Sequence, residues 1–149
     1  MENLSRYLQL SLTKQRLLIE SMFFLIVGRT GLRILPFKTL NRFLQKFERK
    51  AIGMEHGNDT YQADILWAIN RTGENLFGDN ACLPLALAGQ LQLNLHGFPA
   101  HTRLGVQKTI NGEIKAHAWV ECNGKVVIGG PEQEIEQYTI LSEIEGTRF

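Results

Sequence analysis

Residues 82–97 read Cys-Leu-Pro-Leu-Ala-Leu-Ala-Gly-Gln-Leu-Gln-Leu-Asn-Leu-His-Gly. The run predicts a helix. Pro84 falls in the first turn, where a missing N–H costs nothing, and Gly97 supplies a left-handed stop. Asp79 or Asn80 stands where an N-terminal cap belongs. Apolar side chains occupy almost every face of this helix, and a helix without a polar face belongs in an interior. The rest of the chain has to wrap around it.

After Gly97 the hydrophobic period changes. Residues 99–108 alternate, with Ala100, Thr102, Leu104 and Val106 on one side. Asn111-Gly112 turns the chain into a second strand over 114–122. Asn123-Gly124 is a two-residue hairpin signal, and a third strand over 125–128 follows it. The acidic tail, with Tyr138, Ile140 and Leu141, is expected to hold a short last strand or helix.

Upstream, residues 17–27 and 32–47 have helical spacing, with a break at Pro36. A turn-rich link over 52–59 leads to another helix, with Asp59 as its cap and Gln62 reciprocating. That helix buries Ile65, Leu66, Ala68 and Ile69 and is expected to stop near Gly73, before a loop over 76–81. Helices followed by an antiparallel meander make an α+β fold, with the buried helix packed on the sheet. The expected organisation is an N-terminal helical segment over 1–55 and a core over 56–149, together one compact unit.

Composition removes several classes. Two cysteines and no C-x-x-C pair argue against a disulfide scaffold. His56, His96, His101 and His117 lack zinc-site spacing, so no metal is expected. Unpaired thiols and the lack of a secretory pattern fit a reducing, cytoplasmic setting. The apolar stretch 17–27 is too short for a membrane span and contains Glu20.

The net charge of +1 conceals an asymmetry. Residues 1–50 carry ten Lys/Arg and three Asp/Glu, whereas residues 51–149 carry six and twelve. Lys38, Arg42, Lys46 and Arg49 form a basic stripe, with Leu40, Phe43, Leu44 and Phe47 on another face. Such a stripe is commonly a solvated face; its functional reading is an acidic peptide or protein partner. Few aromatic residues are spaced for base stacking, which argues against nucleic acid.

Two residues point to chemistry. Cys82 stands at the start of the buried helix, where unpaired amides and the helix dipole favour a thiolate and can hold an oxyanion. His117 lies in Ala-His-Ala-Trp-Val-Glu, a strand in which His117, Trp119 and Glu121 share one face. Alone, the cysteine reads equally as a small buried hydrophobe and the histidine as a structural one. Together, a helix-start cysteine and a strand histidine are what acyl transfer through a thiol requires. Trp119 fits the core, and Cys122 falls on the opposite face as a structural residue. His101 and Arg103 are expected to be exposed, and His56 sits in a linker.

In this order and spacing several stretches resemble the transglutaminase-like leader peptidases of lasso-peptide biosynthesis. They are Cys82-Leu-Pro-Leu-Ala-Leu-Ala, residues 93–97 leading into Pro99-Ala-His-Thr-Arg-Leu-Gly-Val, Ala116-His-Ala-Trp-Val-Glu, and Gly124-Lys-Val-Val. Leu32-Arg-Ile-Leu-Pro-Phe is similar to the family's N-terminal helical part. The resemblance implies a transglutaminase-like, papain-like core. It also implies a Cys-His-Asp triad that cuts the leader from a ribosomally made precursor peptide. A separate leader-recognition protein and a lasso cyclase would be the partners, and no cofactor is implied. Cys82 and His117 match the first two triad members. The family's acid lies near a strand that here reads Val127-Ile-Gly-Gly-Pro. Simple hairpin pairing sets His117 opposite Gly130, and the nearest acids are Glu132 and Glu134. The orienting role therefore falls to Glu132 or to a backbone carbonyl. Another acyl-transfer enzyme, or a non-catalytic peptide-binding module, is compatible with the same fold.

Overall fold

Local chemistry sets most helix boundaries. A computed structural model describes residues 2–55, 57–78 and 81–141. In it the order is α1 (Glu2–Leu8), α2 (Leu12–Ile34), α3 (Phe37–Ile52), α4 (Asp59–Phe77), α5 (Cys82–Leu95), β1 (Ala100–Lys108), β2 (Ile114–Cys122), β3 (Lys125–Ile128), α6 (Glu132–Ile135) and β4 (Thr139–Ile140). Ser11 caps α2 by accepting from the Lys14 amide. Pro36 takes the N-cap position of α3, so the expected break falls there.

Several boundaries differ from expectation. α2 runs well beyond 17–27 at both ends and takes in residues 32–34, and α3 starts only after Pro36 and continues past residue 47 to Ile52. Asn58, not Asp59, caps α4, its side chain accepting from the Tyr61 amide. The helix also runs past Gly73 to Phe77 and ends at Gly78, where φ is +61°. Gly73 is a contact point instead of a stop. A Cβ there would lie 2.6 Å from a methyl of Leu85, so the glycine lets α4 and α5 approach closely. Of the residues expected at caps and links, His56, Asp79 and Asn80 lie outside the described residues. Ala81 takes the N-cap position of α5 and offers no side-chain acceptor.

The sheet is antiparallel throughout, in the order β3-β2-β1-β4. With α2, α3 and α4 also packed on α5, the fold is α+β with α5 at its centre. Ala86, Leu87, Ala88 and Leu93 are buried, as the sequence leads one to expect. The polar residues of α5 are buried too: Gln90, Gln92 and Asn94 are each at most 1% exposed.

A buried amide needs partners, and the oxygens of all three have them, on two sides, while Asn94 Nδ2 has none among the described residues. The Thr102 amide donates to Gln90 Oε1 at 3.0 Å, and the Ala100 amide to Asn94 Oδ1 at 2.7 Å. On the other side Gln92 Oε1 lies 2.8 Å from the Ser21 hydroxyl, and its Nε2 donates to the Leu17 carbonyl at 3.2 Å. The strand contacts fill a gap, because β4 pairs with β1 only at Gly105 and Val106. At the end of α5, His96 contacts Glu20 of α2 at 2.8 Å and the Tyr61 hydroxyl of α4 at 3.0 Å. Burial, and then the Glu20 charge, raise the Tyr61 hydroxyl above the ordinary tyrosine range. Among the described residues no helix is long and apolar enough to cross a membrane.

Asn94→Leu keeps the side-chain size but leaves the buried Ala100 amide without its acceptor. It should lower stability by about 1–3 kcal/mol, measured as a fall in the urea midpoint with an unchanged slope.

Candidate functional site

Cys82 is the first residue of α5, so its side chain stands at the positive end of the central helix. Pro84 has no amide hydrogen, and the Leu85 amide bonds back to the Ala81 carbonyl at 3.0 Å. The donors presented by this end are therefore the amides of Cys82 and Leu83.

His117 is half-buried on β2, and its Nε2 lies 2.6 Å from the Gly129 carbonyl oxygen. A carbonyl only accepts, so Nε2 carries the proton and Nδ1 of the neutral ring keeps the lone pair. Simple pairing sets Gly130 opposite His117, but the β2–β3 register shifts between Val120 and Glu121. A bulge of this kind re-aims the strand beyond it. Gly129 and Gly130 then take φ values of +107° and +110°, which turn the Gly129 carbonyl onto the imidazole. Glu132 is placed elsewhere. It is exposed in the first turn of α6, and it makes no hydrogen bond to His117.

Two aromatic rings hold the imidazole. Trp119 is near-parallel to His117 at a centroid distance of 6.2 Å, and Tyr138 tilts against it at 5.4 Å. Trp119 is fully buried, in the core as expected, and its indole N–H donates to Glu121 Oε1 at 3.1 Å. It needs small neighbours: a Cβ on Gly105 would meet its ring at 2.8 Å, and one on Gly129 would meet its Cβ at 2.6 Å.

Cys82 and His117 line one cavity of about 200 Å³, together with Asn70, Gly73 and Glu74 of α4 and Gly129. The wall is more apolar than polar, and Glu74 supplies its one carboxylate among the described residues. Asn70, Glu74 and Tyr138 carried no signal in the sequence, since helix spacing alone does not tell which turn of α4 reaches the start of α5. Cys122 is remote from this chemistry. It is buried, its sulfur accepts from Gln62 Nε2 at 3.3 Å, and burial pushes its thiol above the ordinary range.

His101 departs from its expectation of simple exposure. Strand pairing puts it opposite Glu121, and α3 brings Glu48 to its other nitrogen, at 3.2 Å and 3.4 Å. Arg103 Nε also contacts Glu121, at 3.3 Å. The bond to Glu48 raises the His101 pKa, against burial and the charge of Arg103. Burial pushes the Glu121 carboxyl up, but the Trp119 N–H and Arg103 outweigh it and hold the group below its usual value. Among the described residues no three His, Cys, Asp or Glu side chains converge as a metal centre requires.

The sequence matches the family model for the transglutaminase-like superfamily over residues 29–143, which takes in α3 to β4 and the whole cavity. The chain belongs to that superfamily. Comparison with curated proteins and with solved structures found no match.

Three outcomes follow from this geometry. Iodoacetamide at about pH 7 should alkylate Cys82 and leave Cys122 intact until the protein unfolds, because a buried, high-pKa thiol supplies little thiolate; peptide mapping by mass spectrometry reads this directly. Gly129→Ala should cost about 2 kcal/mol or more, since the new methyl meets Trp119 at a positive φ; thermal unfolding measures it. For His101 the folded pKa is raised, so its stabilising contribution is complete below the unfolded value of about 6.5 and is lost as pH rises through the folded value. Denaturation midpoints of wild type should fall more steeply than those of His101→Gln as pH is raised from about 6 to about 8.

Proposed function

We propose that this protein is a cysteine peptidase that removes the leader from a ribosomally made lasso precursor peptide. The observation that carries the reading is the shared cavity: a helix-start cysteine and a strand histidine, whose Nε2 is held by a carbonyl, line the same walls. Cys82 Sγ attacks the scissile carbonyl at the leader–core junction while His117 Nδ1 takes the thiol proton. The amides of Cys82 and Leu83 donate to the oxyanion. His117 returns the proton to the leaving amine, then takes one from the water that hydrolyses the thioester. The Gly129 carbonyl, in place of an acid such as Glu132, fixes the imidazole tautomer. No cofactor enters these steps.

The rest of the reading follows the resemblance in the sequence. A separate recognition protein would hold the leader, and the basic N-terminal helices suit contact with it or with the leader itself. A lasso cyclase would consume the freed core peptide, in the cytoplasm. One observation favours a second reading: the partner of His117 is a neutral carbonyl, not a carboxylate. That weaker support for imidazolium suits a peptide-binding module, or a different acyl transfer on the same fold.

The test is incubation with a precursor peptide and its recognition protein, read by mass spectrometry. Wild type should cut at one bond, and Cys82→Ala and His117→Ala should lose at least about a thousandfold in rate with unchanged circular dichroism. Cleavage retained by Cys82→Ala would overturn the mechanism. Stable peptide binding without cleavage by wild type would establish the binding module instead.

A further inference from the structure

A second cavity, of about 380 Å³, lies between α3 and β1, away from Cys82. Its walls include Glu48 and Arg49 of α3, Gln90 of α5, and His101, Thr102 and Arg103 of β1. The charges here are unevenly matched. Glu48 is engaged by His101, and Glu121, behind the wall, by His101, Arg103 and the Trp119 N–H. Arg49 is exposed and has no ion-pair partner among the described residues.

The wall also carries donors that the fold leaves unused. Gln90 is 1% exposed and spends its Oε1 on the Thr102 amide, while its Nε2 has no hydrogen-bond partner among the described residues. The Thr102 hydroxyl is buried and likewise unpartnered. Buried polar groups in native proteins are normally satisfied. Two spare donors beside an unpaired guanidinium ask for an acceptor-rich, negatively charged guest.

The surroundings say how large that guest is. Lys38, Arg42 and Lys46 are all exposed and lie along the turns of α3 that lead to Arg49. From Lys38 to Lys46 is eight residues of helix, about 12 Å, which an extended chain covers with about four residues. We propose that this cavity takes a carboxylate side chain of an acidic peptide, whose neighbouring acids lie along Lys38, Arg42 and Lys46. The carboxylate accepts from Arg49, Gln90 Nε2 and the Thr102 hydroxyl. Charge-assisted bonds of this sort are short and strong when the carboxylate is desolvated.

The test is fluorescence anisotropy with the full chain and a fluorescein-labelled octapeptide of alternating Glu and Ala. The same peptide with Gln in place of Glu should bind at least about tenfold more weakly. Arg49→Glu should weaken the Glu peptide at least about tenfold, and Thr102→Val by about threefold. Arg33→Glu makes the same change in net charge at an exposed arginine of α2, and should stay within about twofold of wild type. No binding by wild type, or equal weakening by Arg33→Glu and Arg49→Glu, would overturn the proposal.

Discussion

The three buried amides of α5 decide where the central helix sits. Gln90 and Asn94 are four residues apart on a helix, a rise of about 6 Å. Thr102 and Ala100 are two residues apart on a strand, about 6.7 Å. The near-match lets both amides reach alternate N–H groups of β1 at once. Gln92 points the other way and is bonded to Ser21 and Leu17 of α2. Apolar packing alone is non-directional and tolerates a helix that slides. These bonds do not, because a shifted helix would strand buried donors in the core. Fixing the axial position of α5 fixes its first residue, and that residue is Cys82.

The histidine side of the cavity is built differently. No side-chain acid reaches His117 among the described residues; its position comes from a carbonyl and two aromatic rings. Each depends on a glycine. Gly129 supplies the acceptor and makes room for Trp119, and Gly105 makes room for Trp119 and Tyr138. Packing and backbone shape thus hold the imidazole where a charged partner would otherwise do so. Such a site is oriented without carrying a fixed negative charge of its own at that point.

Much of this was legible in the residues. The change of hydrophobic period at Gly97, the hairpin at Asn123-Gly124 and the break at Pro36 each rest on local chemistry, and local chemistry is what a single sequence carries. The meeting of Cys82 and His117 in one cavity also follows from a helix start facing a strand. What stayed hidden depends on distant partners. Gln90, Gln92 and Asn94 read as interruptions of an apolar run until the strand and α2 are seen beside them. Gly73 resembles a helix stop because its reason for being small is Leu85, on another helix. The acceptor is the Gly129 carbonyl because Gly129 and Gly130 turn at positive φ, not because of strand pairing, and no residue type announces the bulge between Val120 and Glu121. His101 looked exposed because Glu48, from α3, completes its surroundings.

The partial cover of β1 has a further effect. β4 reaches only Gly105 and Val106, and a sheet edge left bare beyond that point would offer a row of donors to any passing strand. Here the Ala100 and Thr102 amides are already occupied by side chains from the same molecule's own helix. A neighbouring chain that approaches this stretch finds no free hydrogens with which to extend the sheet. The bonds that hold the central helix in register thereby also close this stretch of the β1 edge to strand addition.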